Sequence, residues 1–127
     1  MPYFDDNLFA GADAVLDSIF AGPAIFRVQG VALSLNWASV RSHAVGTDGD
    51  KTAAQTWIGF VVEVHVSDLV VNGQTVHLQG GEEIAFPLSA GGQKVYVVVV
   101  GPNGRVYEPL DTEDLKWLVF CKYDHQE

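Results

Sequence analysis

The chain has 127 residues, with 16 Asp and Glu against 7 Lys and Arg, for a net charge of −9. That length fits one domain. A hydrophobic content of 48% is enough to build a core, which excludes wholesale disorder. The acidity excludes the broad basic surface of a protein that grips nucleic acid backbones. Charged residues make up only 18%, low for a small domain, and one explanation of that sparseness is surface covered by other subunits.

The beginning, Met1-Pro2-Tyr3-Phe4-Asp5-Asp6, has neither the basic region nor the apolar run of a signal peptide. The apolar runs Val95–Val100 and Leu118–Cys121 are far too short to span a bilayer, so no membrane partner is expected. Cys121 is the single cysteine, which excludes an internal disulfide and a zinc ribbon.

Leu8, Ala12, Val15, Leu16, Ile19 and Phe20 fall at helical spacing after Asp5 and Asp6, which suit a helix N-terminus. Gly22-Pro23 is a stop signal. The pattern predicts an amphipathic helix over 6–20. Beyond Pro23 the period becomes two, and residues 24–123 read as a β body. Val31, Leu33, Leu35 and Trp37 alternate with Ala32, Ser34, Asn36 and Ala38. Residues 41–55 lack periodicity and read as a long loop, a candidate functional element at Gly46, Asp48, Gly49, Asp50 and Lys51.

Trp57–Val66 is a strand with Ile58, Phe60, Val62, Val64 and Val66 on one face. Asn72-Gly73 is a hairpin signal because both turn residues need positive φ. Gly80-Gly81 and Gly91-Gly92 mark further turns around a strand at 82–88 that Pro87 ends. Lys94–Val100 reads as a strand buried on both faces, and Trp117–Tyr123 as the last strand. The expected fold is a single domain, 1–127. It is mainly β, a small antiparallel barrel or sandwich of about seven or eight strands with one N-terminal helix.

Searches for catalytic patterns return little. Neither a phosphate-binding glycine loop nor a nucleophile elbow occurs, so the chain is read as a non-enzyme without a cofactor. A barrel could bring Glu63, His65 and His77 together as a metal triad, and the default for them is an ordinary wet sheet face. Cys121 reads as a buried structural thiol. The acidic turn Glu108, Asp111, Glu113 and Asp114 lacks calcium-loop spacing. Trp37, Trp57 and Trp117 would offer a glycan-stacking platform only if exposed together.

The segment Phe4-Asp5-Asp6-Asn7-Leu8-Phe9 with Ala12-Asp13 precedes the β body. Asn72-Gly73-Gln74-Thr75-Val76, Gly80-Gly81-Glu82-Glu83-Ile84 and Lys94-Val95-Tyr96-Val97-Val98 follow within it. In this organisation the chain resembles the small head–tail joining (neck or stopper) proteins of long-tailed bacteriophages, of the lambda type. It departs from that type in its low basic content and in its closing segment, 108–123.

The resemblance implies a structural virion protein found in the neck after assembly in the bacterial host cytoplasm. It implies a homo-oligomeric ring, a hexamer or twelve copies, joining portal and adaptor to the tail. DNA passes through the ring without sequence-specific binding, and a negative lumen lets phosphates slide. On this reading loop 41–55 faces the lumen or tail, and Leu8, Phe9, Val15 and Ile19 of the helix dock on a neighbouring ring. The alternatives are another virion β-protein, such as a tail terminator or decoration protein, and a glycan- or ligand-binding β-domain.

Overall fold

The computed structural model describes residues 18–28, 30–45 and 57–127. Nine strands are seen: β1 (Ser18–Val28), β2 (Val31–Val45), β3 (Trp57–His65), β4 (Val70–Val71), β5 (Gln74–Thr75), β6 (Glu83–Pro87), β7 (Gln93–Val98), β8 (Tyr107–Pro109) and β9 (Lys116–Gln126). The main sheet runs β3-β2-β1-β6-β7-β9-β8, and β3 also pairs with β9. That pairing closes six strands into a barrel and leaves β8 as a seventh strand beside the start of β9.

The expected N-terminal helix is corrected. Ser18, Ile19 and Phe20 open β1, paired with β2 through Ser18↔Arg41 and Phe20↔Val40. Among the described residues the sole helix is a single 3-10 turn, Val66–Asp68. Tertiary pairing overrides the local helical spacing at 18–20, because β1 supplies the partner on which Val31–Arg41 of β2 are laid. Residues 6–17, with Leu8, Phe9 and Val15, lie outside the described residues. The loop 41–55 also begins later than expected: Arg41–Ala44 continue β2, opposite Val61–Ile58 of β3. Gly46, Asp48, Gly49, Asp50 and Lys51 lie outside the described residues.

The interior is filled by alternate residues of every barrel strand, among them Phe26, Leu35, Val40, Val62, Val64, Ile84, Tyr96 and Val119, all at most 1% exposed. One end of the barrel is stoppered by the excursion between β3 and β6, whose Leu69 and Leu78 are buried in the same core. Its hairpin turns at Asn72 (φ 53°) and Gly73 (φ 79°), the mirror-image turn that Asn-Gly favours. At the other end an aromatic series links Phe20, Phe86, Tyr96 and Phe60, with ring centroids 5.1–5.8 Å apart. Tyr123 joins it at 5.8 Å from Tyr96, and the Lys94 ammonium lies 5.3 Å over the Tyr123 ring.

Two register shifts, one in β2 and one in β9, change which side chains face the core, and a third lies at the start of β1 between Ser18 and Phe20. Gly22 opposes Ala38 while Ala24 opposes Leu35, so β2 carries an extra residue there. An odd insertion exchanges the two faces of a strand. Leu35 therefore faces the core, but so do Ala38 and Val40, and Trp37 is moved outward against His65 at 5.5 Å. The alternation expected from Val31 to Trp37 ends at this bulge. Asn36, within it, donates its main-chain N–H and its Nδ2 to the Asp68 carboxylate, both at 2.9 Å, which ties the 3-10 turn to β2. The second shift, in β9, is described below.

A further buried group lies on the outward face. Phe120 is packed against His43 and Trp57, at 6.2 and 5.6 Å, and the Trp57 indole N–H donates to the Val100 carbonyl at 3.0 Å. Gly101 is buried there, and a Cβ at this position would collide with the Phe120 ring. The strand expected over 94–100 ends at Val98, and Val100 is 57% exposed.

Two substitutions test this packing. Gly101→Ala is expected to lower the stability read from urea unfolding by about 1–3 kcal/mol, the usual cost of overfilling a packed site. Tyr96→Phe is expected to leave stability unchanged or raise it. The Tyr96 hydroxyl is buried with no hydrogen-bond partner among the described residues, so its removal relieves an unsatisfied polar group.

Candidate functional site

Among the described residues, polar chemistry concentrates on the outer wall where β1, β6, β7 and β9 lie side by side. Arg27 and Glu83 are opposed across β1 and β6, both on the outward alternation. In β7 and β9, Tyr96 opposes Tyr123 while Val95 opposes His125, which makes Asp124 an extra residue. Without this bulge His125 would keep the inward alternation of Val119, Cys121 and Tyr123. With it, His125 stands on the outer wall opposite Val95.

The groups so gathered are tightly connected. Arg27 donates through Nη1 and Nη2 to the two carboxylate oxygens of Glu127, each at 2.8 Å, and through Nη1 to Glu83 at 3.2 Å. His125 Nδ1 lies 2.6 Å from the Asp124 carboxylate, and its Nε2 lies 3.1 Å from Glu127. The network thus crosses from β1 to the end of β9. Planar, two-pronged pairing of this kind is the favourable geometry for a guanidinium and a carboxylate.

The charges shift one another's protonation. Hydrogen bonds from Arg27, then from His125, hold the Glu127 carboxyl down to about 2. Hydrogen bonding to Asp124, then to Glu127, raises His125 above its ordinary 6.5. His125 therefore favours the folded state at low pH and loses that contribution as pH rises through its raised value. Glu127 contributes above its ordinary 4.5 and loses its contribution as pH falls toward about 2. Both operate between about pH 4.5 and pH 6.5.

The residues singled out from sequence are dispersed. Glu63 lies 3.8 Å from Arg41 and 3.6 Å from Lys116, His65 lies tilted against Trp37, and His77 lines a separate groove beside the Asn72 hairpin. Glu63, His65 and His77 do not converge. In the acidic turn, Asp111 accepts from the Leu115 N–H at 2.8 Å and Asp114 from the Trp117 indole at 2.5 Å. Those two carboxylates fasten the start of β9. The three tryptophans have separate neighbours, with Trp117 stacked on Tyr107 at 4.0 Å inside the barrel. Cys121 is fully buried, and burial first, then the nearby Glu82, push its thiol pKa up.

Sequence reasoning missed Arg27, Glu83, Asp124, His125 and Glu127. They are separated by 56 and 100 positions along the chain, and the bulge that unites the last three has no glycine or proline to mark it. Comparison with protein-family models, with curated proteins and with solved structures finds no match to this chain.

The order of the influences on His125 is open to measurement. In a proton NMR titration the His125 ring is expected to change charge above pH 6.5. Asp124→Asn should lower that midpoint more than Glu127→Gln does, because the Asp124 hydrogen bond is the larger influence.

Proposed function

We propose that this chain is a structural subunit of a phage head–tail connector, a neck-ring component that surrounds the DNA channel between portal–adaptor and tail. The observation that carries an assembly role is the pairing of a filled interior with an apolar end. The described grooves, of about 370, 450 and 240 Å³, are open to the surface rather than enclosed. At the stoppered end of the barrel, Val31, Val70, Leu110 and Leu115 are 41–57% exposed. An apolar end of this kind suits contact with another protein better than it suits a small ligand. The neck assignment itself rests on the resemblance of the N-terminal Phe4–Phe9 segment and of the glycine-punctuated β body.

Charge supports the same reading. Arg27, Arg41 and Lys116 are engaged in ion pairs, and Lys94 and Arg105 lie over aromatic rings. With Arg27, Arg41 and Lys116 paired and a net charge of −9, carboxylates are in excess, which favours DNA phosphates sliding past rather than being gripped. The dispersed tryptophans disfavour a glycan platform, which needs coplanar exposed rings.

Native mass spectrometry and negative-stain microscopy of the purified chain, alone and with neighbouring virion proteins, test this reading. Rings of six or twelve copies are expected. Leu115→Asp should leave the far-ultraviolet circular dichroism unchanged and reduce assembly. Monomers under every condition would overturn the proposal.

A further inference from the structure

Glu83 of β6 and Asp124 and His125 of β9 each place a potential ligand atom within 4.8 Å of the others. Adjacent residues of a regular strand project to opposite faces. Asp124 and His125 act on one side only because the bulge inserts Asp124 between Tyr123 and His125. The imidazole is also oriented for coordination. Its Nδ1 faces Asp124, while its Nε2 meets Glu127, which Arg27 fixes through two hydrogen bonds. A carboxylate that accepts the remote N–H of a ligating histidine is the recurrent support of metal-bound imidazole, because it sets the tautomer and the ring plane.

We infer that Glu83, Asp124 and His125 form a binding site for a zinc-class divalent cation on the outer wall of the barrel. One imidazole nitrogen and two carboxylates are a donor set suited to zinc, with water completing a tetrahedron. Calcium and magnesium prefer all-oxygen sites. The ion enters between the Asp124 carboxylate and Nδ1, which lie 2.6 Å apart. Glu127 stays with Arg27 and Nε2 as a positioning residue.

The local charge favours this occupant. The carboxylates Glu83, Asp124 and Glu127 face one guanidinium, Arg27, which leaves two negative charges when the imidazole is neutral. A divalent ion cancels them. The side chains of Glu83, Asp124 and His125 are 32%, 47% and 42% exposed, so they can close on an ion without disturbing the core.

The inference is independent of the connector reading and is tested on the full chain with Zn²⁺ itself. Isothermal titration calorimetry is expected to show one Zn²⁺ bound per chain, and Co²⁺ should give the visible absorption of a four-coordinate site. His125→Ala and Glu83→Gln should each weaken Zn²⁺ binding about tenfold or more, since each removes a ligand. Glu127→Gln should weaken it less, and His77→Ala should leave it unchanged. No Zn²⁺ binding by the wild-type chain would overturn the inference. So would binding that survives His125→Ala at full strength, or that is lost with His77→Ala instead.

Discussion

The rest of the structure depends on the pairing of β3 with β9. A six-residue ladder, from Phe60↔Cys121 to His65↔Lys116, converts a curved sheet into a barrel and removes the exposed edge that β3 would otherwise present. Its cost is set by topology, since β9 is the last strand and must be accommodated between β7 and β3. The length of β9 answers this requirement. Residues 121–126 pair with β7, and residues 116–121 pair with β3 on one side and partly with β8 on the other. Trp117, Val119 and Cys121 carry the inward face through this junction, and each is buried in the core.

Closure imposes a curvature that regular strands supply poorly and that bulges relieve, and two of the bulges lie in β2 and β9. Each then has a chemical result. In β2 the extra residue frees the Asn36 N–H from the ladder and gives it to Asp68, which holds the 3-10 turn and the stopper behind it. In β9 the extra residue turns His125 from the aromatic end of the interior to the polar wall. Had β9 continued regularly, an imidazole would stand beside Tyr96 and Tyr123, and Glu127, at the same parity, would turn inward with it and away from Arg27. The candidate site is therefore a consequence of barrel closure rather than an addition to it.

This explains what the sequence does and does not disclose. Turns are legible because they are local: Asn72, Gly73, Gly80, Gly81, Gly91 and Gly92 all have positive φ, which the residue types announce. The inward face of β3 is legible because two-residue alternation survives intact through Phe60, Val62 and Val64. The helical spacing that reached Phe20 was misleading, since apolar residues at 19 and 20 serve a strand once β2 is beside it. The outward turn of Trp37 and the cluster around Arg27 were hidden for a different reason. Both depend on one-residue insertions in pairing, which composition does not encode and which local propensity cannot locate.

The sparse charge of the chain now has a more specific meaning. Three of the described cations are ion-paired within the fold: Arg27 ties the chain end beyond β9 to β1, and Arg41 and Lys116 flank Glu63. Opposite charges that compensate internally contribute little to long-range potential, whereas the uncompensated carboxylates act together. The excess of acid is thus available to the surroundings. A net charge of −9 disfavours contact with a polyanion, and the wall at Glu83, Asp124 and His125 gathers three carboxylates, with Glu127, against one guanidinium. These two consequences differ in range. Repulsion of DNA needs only net charge, and salt screens it, but capture of an ion needs donor atoms aligned at bond distance. The β9 bulge brings potential ligand atoms of Glu83, Asp124 and His125 within 4.8 Å of one another on the outer wall.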